Sequence, residues 1–268
     1  MRLIRVPAAL ALCLCALACA AVAATAAAAT ATAAMGATTP RVRLHVAFSP
    51  DRAGERTTIE LALHVIGGAG GSPPVLRSMA LRLPTGMGIA TTTLGEANCA
   101  PGELIAAGLS GCSSNALLGF GSATAVVPVG SSDVIEHASL HPLMGPPHEN
   151  EVEVLFYVQA STPVFAQLVL PGVLAEDAAP FGEQLQTSIP LVEAWPEGPD
   201  LALQGIDLTI GPERLVYHRR VGSKSVPYRP QGVRIPSRCP QHGYPFGALL
   251  GFIDGTTASA SFRVSCPR

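Results

Sequence analysis

From Arg41 onward the chain alternates apolar and polar residues with a period of two. In "RVRLHVAF", Val42, Leu44, Val46 and Phe48 fall on one side, with Arg41, Arg43 and His45 on the other. "TTIELALHV" does the same with Ile59, Leu61, Leu63 and Val65 against Thr58, Glu60, Ala62 and His64. Successive side chains of a strand point to opposite faces, so such segments bury one face and wet the other, whereas a helix would scatter them around its axis. "GFGSATAVVPV", "EVEVLFYV", "PVFAQLVL" and "LQGIDLTI" continue the series, separated by Gly, Pro and Asn/Asp clusters. Roughly a dozen such segments predict an all-β antiparallel β-sandwich, either one large domain or two abutting subdomains. The best seam between subdomains is near 129–133, in "VPVGSSD". Only "PGELIAAGLS" reads as a helix, with Pro101 near its start and Gly108 near its end, and it lies between Cys99 and Cys112.

The chain opens "MRLIRVPAALALCLCALACAAVAATA". Arg2 and Arg5, an apolar run and the small residues Ala21-Val22-Ala23 together predict a secretory signal over 1–23, cleaved near Ala24. A membrane anchor and a lipoprotein acylated at Cys19 are the alternatives. Residues 24–40, an Ala/Thr-rich tract, read as a tether to a β domain over 41–268. Of the seven cysteines, Cys13, Cys15 and Cys19 belong to the leader. Cys99, Cys112, Cys239 and Cys266 remain, an even number that in an exported chain reads as disulfides. Closure of the shorter loops predicts Cys99 with Cys112 and Cys239 with Cys266. No pair has the Cys-x-x-Cys spacing usual for structural zinc.

The C-terminal "FGALLGFIDGTTASASFRV" carries a hairpin signal at Asp254-Gly255. A two-residue loop would mix apolar and polar partners. A three-residue loop of Ile253, Asp254 and Gly255 pairs Phe252 with Thr256, Leu250 with Ala258, Ala248 with Ala260 and Phe246 with Phe262, collecting one apolar face. This register is expected, with Gly255 in the left-handed position and Thr257, Ser259, Ser261 and Arg263 facing water.

"LRLPTGMGIATTTLGEANCAPGELIAAGLSGCSSNALLGFGSATA", "VLFYVQASTPVFAQLVLPGVL" and "CPQHGYPFGALLGFIDGTTASASFRVSCP" together resemble uncharacterised secreted proteins of high-GC soil actinobacteria. In these a Leu-Pro-x-Gly strand leads to Cys, a short helix, a second Cys and a Gly-x-Gly-x-Ala strand. Cys112 is followed by Ser113 where such proteins often have Pro. The resemblance implies an exported β fold and carries no assigned activity.

Chemistry is sparse. Ser110 in "GLSG" lacks the Gly-x-Ser-x-Gly elbow of a serine hydrolase. "GFGSA" lacks the third Gly and the Lys of nucleotide loops, so close backbone packing at Gly119 and Gly121 is expected instead. His137 and His141 would share a strand face about 13 Å apart, too far to hold one ion. From Glu149 through Glu213 there are eleven acidic residues and no Lys or Arg, and from Arg214 through Arg238 seven basic residues and no acidic one. The basic set is Arg214, Arg219, Arg220, Lys224, Arg229, Arg234 and Arg238. Pairing of oppositely charged strands within the domain is the expected arrangement, and a surface for an anionic envelope polymer or another secreted protein is the alternative. Export and a formal net charge of −2 argue against nucleic acid, and no cofactor motif is present. The expected function is non-catalytic, a binding or envelope component. The alternative is a hydrolase assembled from Glu136, Glu151 and Glu153 with His141 or His148, or a surface lipoprotein.

Overall fold

A computed structural model describes residues 39–268 except 89–92, 131, 148–150, 162–164, 267 and 268. The leader, Cys19, most of the tether and His148 lie outside the described residues. The strands are β1 (Arg41–Ser49), β2 (Arg56–Ile66), β3 (Leu76–Pro84), β4 (Gly119–Val129), β5 (Ser132–Met144), β6 (Val152–Ala160), β7 (Ala166–Glu176), β8 (Phe181–Ser188), β9 (Ala202–Ile210), β10 (Tyr217–Val221), β11 (Lys224–Tyr228), β12 (Val233–Arg234), β13 (Tyr244–Phe252) and β14 (Thr257–Val264). The helix α1 (Pro101–Ala107) lies between Cys99 and Cys112. The protein is therefore all-β and antiparallel with one short helix.

Twelve strands form one sheet in the order β1-β2-β9-β4-β5-β6-β7-β8-β3-β13-β14, with β12 added to β2, while β10 and β11 form a separate pair. The sheet curls until its two ends, β1 and β14, lie side by side. Across that seam the rings of His45 and Phe262 meet edge to face at 4.8 Å. The layers of the expected sandwich are thus opposite walls of one nearly closed barrel. Alternation places the apolar set inside every strand, and Glu60, His64, Ser122, His137, Ser139, Gln186, Asp207, Ser259 and Ser261 are exposed outside. A polar outer wall is the reverse of a barrel that faces lipid.

The wall formed by β1, β2, β3, β13 and β14 presents large apolar side chains to the interior. Val46, Leu63, Tyr244, Phe246 and Leu250 are buried there. Phe48 sets its edge against Tyr244 and Phe246 at 5.7 and 5.9 Å.

The C-terminal hairpin has the expected register, with Phe246 opposite Phe262, Ala248 opposite Ala260 and Leu250 opposite Ala258. Phe252 N–H donates to the Thr256 carbonyl at 3.0 Å. Gly255 has φ +80°. A Cβ there is strained whatever the space around it, so Gly255→Val is expected to destabilise by about 1–2 kcal/mol. Thr257→Ala, on the wet face, should stay within about 0.5 kcal/mol in denaturant melts. Cys239 and Cys266 are bonded, with Cα atoms 5.7 Å apart, and tie the base of this hairpin to the connection before it.

"VLFY" in β6 is apolar on both sides because both sides are covered. Val154 and Phe156 face the barrel interior, while Leu155 and Tyr157 face outward into a second core with Cys99, Leu104, Ala116 and Leu143. The Cys99–Cys112 disulfide, with Cα atoms 5.4 Å apart, staples α1 into that core. Gln167 of β7 donates its side-chain amide to the carbonyls of Leu104 and Ile105 at 3.3 and 3.4 Å. At the start of α1 the Glu103 carboxylate accepts from Ala100 N–H at 3.2 Å.

Candidate functional site: the barrel lumen

Because neighbouring strands run in opposite directions, the turns fall at two ends. One end is plugged. The connections 85–118 and 211–243 carry Leu94, Leu118, Leu215, Tyr217, Val233 and Ile235 into the main core. Tyr217 hydroxyl donates to the Leu117 carbonyl and accepts from Gly95 N–H at 3.0 Å. Asn115 donates to the His218 carbonyl and accepts its N–H, both at 2.8 Å. The Tyr228 ring stands edge-on to Tyr217 at 5.8 Å, and its hydroxyl donates to Glu96. Burial pushes the phenols of Tyr217 and Tyr228 up to about 12.

The other end is crossed only by two straps, 67–75 from β2 to β3 and 189–201 from β8 to β9. Ser72 hydroxyl donates to Asp133 at 2.6 Å, fixing the first strap to the β4–β5 turn. The second folds on itself, with Leu201 N–H donating to the Val192 carbonyl at 2.8 Å.

Below these straps the wall formed by β4 to β7 does not fill the interior. Ala123 pairs with Ala138, Ala138 with Ala160, and Ala160 with Ala166, a row of alanines across four adjacent strands. Each contributes one methyl, where elsewhere on β5, β6 and β7 the inward positions carry Leu140, Phe156, Val158 and Leu168. The result is a cavity of about 140 Å³. Its wall is carbon except for Glu136, 2% exposed, and Thr187. Val192 and Leu201 of the second strap close it from above. Toward the plugged end lies a second apolar cavity of about 120 Å³. Leu61, Leu81, Phe156 and Leu208 line both and form the waist between them. Glu183 lines the lower cavity, and its Oε2 is buried with no hydrogen-bond partner among the described residues. Burial raises its carboxyl above the ordinary range.

The two glycines of "GFGSA" sit where backbone packing demands them. A Cβ on Gly119 would lie 1.8 Å from the Thr209 carbonyl oxygen, and one on Gly121 2.3 Å from that of Asp207, both on β9.

The described members of the hydrolase set are not brought together. Glu136 faces the lumen, whereas His141, an odd number of residues along β5, lies on the outer side opposite Tyr157. Burial lowers the His141 imidazole below its ordinary value. Glu151 is exposed at the plugged end, and Glu153 approaches Gly145 on the outer side. Ser110 hydroxyl donates to the Ala107 carbonyl at 2.7 Å in the turn after α1. His137 is exposed on the outer wall.

All seven residues of the basic block are exposed. The expected neutralisation by acidic strands does not occur, because β10 pairs only with β11 and both belong to the basic block. Arg214 instead lies over the Phe120 ring at 4.3 Å and Arg219 over Tyr228 at 5.5 Å. Ion pairs form elsewhere among the described residues, between Arg52 and Glu55 and between Arg82 and Asp177.

The second of these is a two-pronged pair, with Arg82 Nε and Nη2 donating to the Asp177 carboxylate at 2.6 and 2.9 Å and the guanidinium 4.1 Å above the Phe181 ring. Hydrogen bonding from Arg82 holds the Asp177 carboxyl below its ordinary value. A depressed folded value stabilises above the unfolded pKa of about 3.9, and that contribution is lost as pH falls through the folded value. Asp177→Asn is therefore expected to cost about 1 kcal/mol near neutrality, after allowance for screening at the partly exposed arginine, and to remove that part of the acid dependence. Urea melts from neutral to acid pH check this.

No family description, curated protein or solved structure matches the chain.

Proposed function

We propose that this is an exported, non-catalytic carrier that holds an apolar molecule in the barrel lumen. The observation that carries the reading is the alanine row Ala123, Ala138, Ala160 and Ala166, which keeps four inward strand positions from filling the interior. Close-packed interiors seldom leave such space, and the inward faces of Ala123, Ala138, Leu168 and Ile206 remain only partly buried. Apolar surface left accessible in this way favours an apolar occupant by roughly 25 cal/mol per Å² removed from water. An apolar void of about 150 Å³ suffices for a benzene-sized molecule. A single ring or a short branched chain therefore suits the upper cavity, with the lower one beyond the waist available to a longer ligand. The leader and the two disulfides support an extracellular setting.

Thermal melts with a panel of neutral aromatic hydrocarbons and linear alcohols test the reading. A ligand specific to the native state stabilises it by about 2.7 kcal/mol at a concentration of 100 Kd. At least one compound should raise Tm, with a rise that grows with concentration. A panel without effect would contradict the carrier reading.

A further inference from the structure

The mouth of the barrel is ringed by apolar side chains left exposed among the described residues. Val129 and Ile135 flank the β4–β5 turn, Phe165 precedes β7, Leu191 and Trp195 stand on the second strap, and Ile253 tips the β13–β14 turn. Their exposures are 43%, 50%, 74%, 56%, 47% and 47%. They are six of the ten large apolar residues exposed among the described ones. Of the other four, Leu249 lies on the side wall, Ile105 on α1, and Val216 and Val221 on the connection at the plugged end. An exposed apolar concentration at one end of a molecule marks an interaction surface.

We infer that the mouth docks on a lipid surface through this ring. Three observations favour lipid as the occupant. The side chains come from four separate turns that project from one end and surround an opening, so they can enter a bilayer interface together without a complementary groove. Aromatic side chains, here Trp195 and Phe165, favour that interface. The exposed charges at this end, Arg41 and Arg77 with Asp133, Glu193, Glu197 and Asp254, are mixed and lean acidic, so attachment through apolar insertion suits a zwitterionic surface rather than an anionic one. The purpose of the docking rests on the carrier reading: an apolar ligand passes between bilayer and lumen without crossing water. The geometry of the ring does not depend on that reading.

Trp195 is the only tryptophan, so its emission reports on the mouth alone. Phosphatidylcholine vesicles added to the purified protein should shift that emission to the blue, and lipids brominated on their acyl chains should quench it. Raising the salt concentration should change neither. A variant carrying Phe165→Ser and Leu191→Ser should bind vesicles about tenfold or more weakly while still binding a neutral apolar dye in the lumen. Ile105→Ser with Val216→Ser should bind vesicles like the parent. Absence of the shift, or equal loss in the second variant, overturns the docking. Dye uptake without vesicle binding would leave the carrier reading standing without the docking, and vesicle binding without dye uptake would leave the docking standing without the carrier.

Discussion

Phe246→Ala is expected to lower the stability of the protein by about 3–5 kcal/mol. The ring is 1% exposed, stands edge-on to Phe48 at 5.9 Å and lies opposite Phe262 in the hairpin. It also borders the lower cavity. Deleting it removes apolar contacts and joins a new void to one of about 120 Å³ that the surroundings already fail to fill. Little collapse is available to soften the loss, so the cost should fall in the upper part of that range. Phe262→Ala is the informative contrast. Its ring is only partly buried, against His45 at the seam where β1 and β14 meet without a ladder among the described residues. About 1–2 kcal/mol is expected there. Guanidinium melts should show the two midpoints separated at similar m values, since neither change alters how much surface unfolding exposes.

Ala138→Leu is expected to do the opposite to stability and to remove ligand binding. Its methyl sits in the middle of the alanine row and is only partly buried, although it points inward. The added carbons would enter the cavity of about 140 Å³ rather than a neighbour. Filling such space commonly adds about 0.5–2 kcal/mol of stability. The same carbons would occupy the ligand's volume, so affinity should fall about tenfold or more, a loss of about 1.4 kcal/mol or more in binding. Stability and binding would then move in opposite directions, which a change that merely damaged the fold would not produce.

Local features were legible in the sequence for physical reasons. The C-terminal register followed from alternation, since one residue of slip would have put Phe262 opposite Gly247. The pairings of Cys99 with Cys112 and Cys239 with Cys266 followed from loop length. The helix between the first pair followed from its proline and glycine punctuation. Closure of the barrel was not legible, because β2 neighbours β9 and β3 neighbours β8 only after the straps have crossed the mouth, and no residue of β1 or β14 advertises the partner edge. The acidic and basic blocks suggested mutual pairing, but a charge block names no partner strand, and the basic strands chose each other. The lumen was hidden most deeply. Ala123, Ala138, Ala160 and Ala166 are scattered over four strands and align only once three registers are known. One trace was present in "GFGSATA", where Gly119, Gly121, Ala123 and Ala125 place a small residue at every second position of β4. Two of these allow close approach to β9 and two leave room for a ligand.

Ser139 is next to Ala138 on β5 and exposed on the outer wall, so the two positions differ in face and in little else. Titration of the wild type, Ala138→Leu and Ser139→Leu with a neutral dye such as N-phenyl-1-naphthylamine, whose fluorescence rises in an apolar site, therefore tests the lumen itself. A saturable rise in the wild type and in Ser139→Leu, lost or weakened about tenfold in Ala138→Leu, is the result expected of a carrier. No rise in the wild type, or the same rise in all three, would contradict it.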